Sequence, residues 1–131
     1  MSETEPVVLD ASAALAVLRD EIGGDFVLSW FPRHISTVNL HETIKGLIVR
    51  EVEQGEMRAA VKRLRLTIHD CTEVDAWTAA LMEPATRHLG LSLGDRTCLA
   101  LGVRLGLPVL TADRAWEGVV VEGVEVRLLR G

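Results

Sequence analysis

Short apolar runs alternate with longer amphipathic stretches along this chain, and that alternation limits the fold more than any other feature. Val7-Val8-Leu9, residues 35–38, residues 67–69, Pro108-Val109-Leu110 and residues 125–129 read as strands. A run as short and apolar as Val7-Val8-Leu9 has no polar face, so both its sides must be covered. Strands separated by helices build a mainly parallel sheet with helices on both faces. The expected fold class is α/β, a three-layer α/β/α sandwich. Residues 1–6 read as a flexible N-terminal tail, and 7–131 as a single domain.

The helices carry their own punctuation. Asp10 is placed to cap a helix over 12–19, and Gly23-Gly24 breaks the chain after it. Asp25 starts a short segment bearing Phe26, Val27, Trp30 and Phe31, which Pro32 stops. Asn39 is expected to cap a helix reaching about residue 53, with Leu40, Ile44, Leu47, Ile48 and Val52 on one face and Gly55 ending it. A basic helix follows over 56–66. Thr72 caps a helix with Val74, Trp77 and Leu81 on one side, which Pro84 should kink or split. The helix over 95–105 aligns Cys98, Leu101, Gly102 and Leu105, and Gly106 closes it.

Composition narrows the functional classes. The 131 residues are 48% hydrophobic, enough for a real core and for a surface covered by a partner. A net charge of −5 argues against broad electrostatic binding to nucleic acid. Bound cations reverse the local field of an acidic cleft, so a nucleic-acid substrate stays open. Twelve of the fourteen basic residues are Arg, which fits a phosphate-rich partner or simply a GC-rich genome. Cys71 and Cys98 match no metal or redox spacing, and Cys98 falls on an apolar helix face. The acidic N-terminus is no signal peptide and no run is long enough to span a membrane, so a cytoplasmic location is expected.

Chemistry concentrates in four acids. Asp10 and Asp113 follow strand ends directly, Glu42 lies near a third, and Asp95 opens the helix that leads back into the sheet. In open parallel sheets, sites form beyond the carboxyl ends of the strands. Each acid also has a structural reading. Asp10 is a cap, Asp113 starts a turn, and Asn39-x-x-Glu42 and Ser92-x-x-Asp95 have capping-box spacing. Jointly, however, carboxylates at four such junctions concentrate charge that Ser, Thr or Asn would avoid, and a hard divalent cation would offset it.

The stretches Val8-Leu9-Asp10-Ala11-Ser12-Ala13, Val38-Asn39-Leu40-His41-Glu42, Ser92-Leu93-Gly94-Asp95-Arg96-Thr97-Cys98-Leu99-Ala100-Leu101 and Leu110-Thr111-Ala112-Asp113-Arg114-Ala115-Trp116 together resemble the PIN domain. More narrowly, they are similar to VapC-type toxins of bacterial toxin–antitoxin pairs. The resemblance implies an α/β/α sandwich acting as a Mg²⁺- or Mn²⁺-dependent endoribonuclease. It also implies a homodimer restrained by a VapB-type antitoxin. It maps the metal-site acids onto Asp10, Glu42, Asp95 and Asp113, with Ser12 and Thr111 in support. His41 and Pro84 depart from the pattern without touching a ligand position.

Arg96 and Arg114 each follow a nominated acid and are candidates for RNA contact or for salt bridges. The basic stretch from Arg58 to Arg65 is either an RNA-facing or a solvated surface, and the Phe26–Phe31 segment either an antitoxin groove or core. The four histidines show no ligand spacing. Two other functions compete. A phosphoaspartyl phosphatase would want a second Asp where Ser12 stands and a Lys beyond Lys62. A catalytically inactive PIN-like binding module would not need all four acids.

Overall fold

The computed structural model describes residues 5–131. Five strands form one all-parallel sheet: β1 (Val7–Leu9), β2 (Arg33–Ser36), β3 (Leu66–His69), β4 (Val109–Thr111) and β5 (Val126–Leu128), in the order β3-β2-β1-β4-β5. The most apolar run, β1, takes the centre, and all three of its residues are fully buried. Alternation along it divides the core. Val8 packs with Cys98, Leu99, Leu101 and Val109 on one face, whereas Val7 and Leu9 pack with Ala13, Ala14, Val27 and Ile35 on the other. Residues 1–4 of the expected tail lie outside the described residues. The Glu5 carbonyl accepts a hydrogen bond from the Phe31 N–H at 2.9 Å.

Seven α-helices surround the sheet among the described residues: α1 (Ala11–Leu18), α2 (Gly24–Leu28), α3 (Thr37–Val49), α4 (Gln54–Arg63), α5 (Glu73–Leu81), α6 (Glu83–Thr86) and α7 (Leu93–Leu105). Helices α5 and α7 cover the Val8 face, and α1 and α2 cover the other. The break at Pro84 separates α5 from α6 as expected. Ser92 and Asp95 form a capping box at the start of α7, and Gly106 ends that helix with φ 67°. Gly102 lets α7 approach the sheet, since a Cβ there would meet Val109 Cγ2 at 2.8 Å.

The expected β2–α3 boundary is misplaced, the strand end by two residues and the cap by three, which matters for the site. Ser36, not Asn39, caps α3, its Oγ accepting from the Val38 N–H at 3.1 Å. Thr37 and Val38, β-branched and strand-like by propensity, are therefore helical; a local cap outweighs a weak preference. The strand instead extends back to Arg33, a buried guanidinium bonded to the carbonyls of Leu64 (2.8 Å) and Trp30 (2.7 Å). Helix α3 ends at Val49, and Gly55 lies inside α4, whose cap is Glu53.

Of the Phe26–Phe31 segment, Val27 and Trp30 are core, while Phe31 is exposed. An apolar trench lies elsewhere, between α3 and α4. Leu40, Ile44, Ile48, Met57 and Val61 line it, Arg58 and Lys62 edge it, and its volume is about 480 Å³. Helix α4 has no fully buried residue.

Candidate active site

Asp10 leaves the end of β1 and caps α1. Its Oδ1 accepts from Ser12 Oγ at 2.7 Å and from the Ala13 N–H at 2.8 Å, and its Oδ2 from Thr111 Oγ1 at 2.5 Å. Ser12 Oγ in turn accepts from the Ala112 N–H at 2.9 Å, and Thr111 Oγ1 from the Asp113 N–H at 3.0 Å. Each hydroxyl has one proton, and each gives it to Asp10. The network thus ties the ends of β1 and β4 together around one carboxylate. Burial pushes that carboxyl from its ordinary 3.8 up to about 6, against the hydrogen bonds that favour the ionised form; Asp95 adds a smaller push upward.

Glu42 is the sixth residue of α3, deeper in the helix than its sequence context suggested. Asn39, fully buried one turn earlier, donates from Nδ2 to Glu42 Oε1 and to the Gly94 carbonyl, both at 3.0 Å. Gly94 makes the approach of α3 and α7 feasible: a Cβ there would lie 2.6 Å from both carboxylate oxygens of Glu42. The next residue is Asp95, whose Oδ2 accepts from the Ser92 N–H at 2.9 Å. Asp113 is exposed, and its Oδ1 caps the 3₁₀ turn Arg114–Gly118 by accepting from the Ala115 N–H at 2.9 Å.

Asp10, Asp95 and Glu42 all act on one buried atom. The Cys98 thiol, fully buried on α7, is pushed well above its ordinary value by burial first and then by the charges of those three acids. The Asp113 backbone is linked to Asp10 through the Thr111 hydroxyl. Asp10 caps α1, Asp95 partners Ser92 in a capping box and Asp113 starts a 3₁₀ turn, as the sequence suggested. The Asn39–Glu42 pair is no capping box. Its hydrogen bond runs between side chains.

The donor set suits a hard cation in kind, being all oxygen. Among the described residues, no three His, Cys, Asp or Glu side chains are gathered tightly enough to grip one ion as they stand. Each of the four carboxylates has an oxygen turned onto a nearby donor. Asp95 Oδ1, Glu42 Oε2 and Asp113 Oδ2 accept no hydrogen bond among the described residues, and Asp10 Oδ2 accepts one, from Thr111, which leaves it a second lone pair. A Mg²⁺ ion retains several waters and needs only one or two direct carboxylates.

The neighbouring basic residues have other ties. Arg96 donates to the Leu91 carbonyl at 2.7 Å, and Arg114 pairs with Glu117 at 3.4 Å rather than with a nominated acid. One pair escaped sequence reasoning: His34 Nδ1 and His69 Nε2 stand 2.8 Å apart across β2 and β3. Burial, then His69, holds the His34 imidazole below its ordinary value. Residues 35 apart in sequence give no spacing signal for such a contact.

The PIN domain family model matches residues 7–121. The chain belongs to the PIN domain family. No curated protein matches it in sequence. Solved structures share the fold of this PIN domain at low identity. The DNA-bound VapBC of Salmonella typhimurium has a TM-score of 0.68 and 20% identity over 95% of this chain and 98% of that one. VapBC2 of Rickettsia felis, bound to a promoter DNA fragment, gives 0.71 and 13% over 95% and 98%. VapC20 of Mycobacterium tuberculosis, described as a sarcin–ricin-loop-cleaving toxin, gives 0.69 and 19% over 88% and 97%. No helix among the described residues is long and apolar enough to cross a membrane.

Proposed function

We propose that this PIN domain is a divalent-metal-dependent endoribonuclease of the VapC type, the toxin of a toxin–antitoxin pair acting in the cytoplasm. What supports the reading is that Thr111 links the Asp113 backbone to Asp10, while Glu42 lies against Gly94, the residue before Asp95. Its structural neighbours include VapBC complexes and an RNA-cleaving toxin, which supports a VapB-type antitoxin as partner and RNA as substrate. A homodimer belongs to the same proposal.

Asp10 and Asp95 would hold the main Mg²⁺ or Mn²⁺ ion, with Glu42 and Asp113 supporting it. When bound, such an ion supplies Lewis-acid activation of the phosphodiester and offsets the charge that develops there. Ser12 and Thr111 orient Asp10 and favour its ionised form by donating to both of its oxygens, in part offsetting burial. Arg96 and Arg114, each next in sequence to a nominated acid, are candidate RNA contacts. In-line hydrolysis by water leaves a 5′-phosphate and a 3′-hydroxyl.

The test is incubation of purified protein with total cellular RNA, with and without Mg²⁺ or Mn²⁺, beside an Asp10→Asn control. Metal-dependent cleavage that the control lacks is expected. A cyclic 2′,3′-phosphate product, or undiminished cutting by Asp10→Asn, would overturn the assignment. Calorimetric titration with Mn²⁺ separates the enzyme from an inactive PIN-like module, which would take up none specifically.

A further inference from the structure

We infer that Asn39 is a positioning residue for the acidic site: it fixes the Glu42 carboxylate against the first turn of α7 and so sets the separation of Glu42 from Asp95. The inference rests on the nuclease reading above and names the group on which one of its acids depends.

Three observations point the same way. Asn39 is not needed to start its helix, because Ser36 does that. It is fully buried, and both its N–H hydrogens are used, one on Glu42 Oε1 and one on the Gly94 carbonyl, each at 3.0 Å. Those acceptors belong to different helices, so a single amide ties the Glu42 side chain to the backbone immediately before Asp95. The amide orientation follows from chemistry, since the reverse would set its oxygen against a carboxylate oxygen and a carbonyl.

The third observation argues against a purely structural role. Asn39 Oδ1 is buried and accepts no hydrogen bond among the described residues. A buried unpaired carbonyl oxygen is destabilising, and an apolar residue of similar size would avoid it. What the amide provides and an apolar side chain cannot is an uncharged N–H donor to Glu42. Lys or Arg in its place would orient the carboxylate too, but would neutralise it and compete with a cation for its oxygens. The bare Gly94 completes the arrangement, since any side chain there would push the carboxylate off its seat.

The experiment is a calorimetric Mn²⁺ titration without RNA, on the parent, Asn39→Leu, Asn39→Ser, Glu42→Gln and the Asn39→Leu/Glu42→Gln double variant. Asn39→Leu is expected to unfold within about 5 °C of the parent and to bind Mn²⁺ about tenfold more weakly, a coupling of ordinary size for a contacting pair. In the Glu42→Gln background the same substitution should add nothing, because its effect passes through Glu42. RNA cleavage by Asn39→Leu should recover as Mn²⁺ is raised, which a merely loosened fold would not do. Asn39→Ser serves if the leucine variant does not fold. Unchanged Mn²⁺ affinity in a folded Asn39 variant, or losses that add fully in the double variant, overturns the inference and leaves the nuclease reading standing. A parent that takes up no Mn²⁺ overturns both.

Discussion

At Asp10, burial and hydrogen bonding pull in opposite directions, and burial wins. A carboxyl raised from 3.8 to about 6 is protonated more readily in the folded than in the unfolded chain. Its favourable contribution is fully present below about pH 4 and is lost as the pH rises through about 6. Over that window the metal-free parent should lose up to roughly 3 kcal/mol relative to Asp10→Asn, the equivalent of a two-unit shift. Urea denaturation of both proteins from pH 4 to 7.5 measures this, and a difference that does not change with pH would refute it. Mn²⁺ uptake should strengthen over the same window, because the ion and the proton compete for one group. Gly94 offers a second residue-scale test. In Gly94→Ala the new methyl would meet the end of a flexible side chain, so stability should change by less than about 1 kcal/mol. Cleavage should fall sharply, because the group displaced is the Glu42 carboxylate. Capping at this scale was legible: Asp10 as a cap, and Asp95 as the partner of Ser92 in a capping box, could be named from their spacing. Asn39 was misread because an Asn three residues before a Glu fits a cap equally well, and the nearer Ser36 could not be weighed against it without the strand end.

At the scale of elements, the two capping boxes form a natural experiment. Thr72 with Asp75 starts α5, and Ser92 with Asp95 starts α7. Replacing either Thr72 or Ser92 by Ala should cost about 1 kcal/mol of stability. Only Ser92→Ala should also lower cleavage, since losing the bond from the Asp95 N–H to Ser92 Oγ loosens the helix turn that carries a nominated ligand, whereas Asp75 is tied to Arg104 at 2.8 Å. Parallel denaturation and RNA assays decide the matter; equal activity in the two variants would count against Asp95 as a ligand. Helices with strong terminal signals were read closely: the break at Pro84, the close at Gly106 and the cap at Thr72 all stand. Boundaries without such signals moved. Helix α3 stops at Val49, and Gly55, a plausible stop by composition, sits in the first turn of α4.

At the scale of the whole molecule, the trench between α3 and α4 leaves an apolar surface that no element among the described residues covers. Under the toxin–antitoxin proposal, an amphipathic helix of the VapB-type partner, acidic on the side that meets Arg58 and Lys62, would bury it. Ile48→Glu, at a position already 56% exposed, should leave the fold and RNA cleavage intact and abolish co-purification with the co-expressed partner. Retained co-purification would place the partner elsewhere. The sequence alone determined the all-helix-covered parallel sheet, because a three-residue apolar strand with no polar face can only sit in the middle of one. It also determined which acids stand at the ends of those strands. Only the tertiary structure decided how they meet: that Thr111 reaches Asp10 across 101 positions, that Glu42 presses on Gly94, and that two histidines touch across β2 and β3. Such contacts depend on strand order and helix crossing, which are set by packing the entire core and leave no local trace in the spacing of residues.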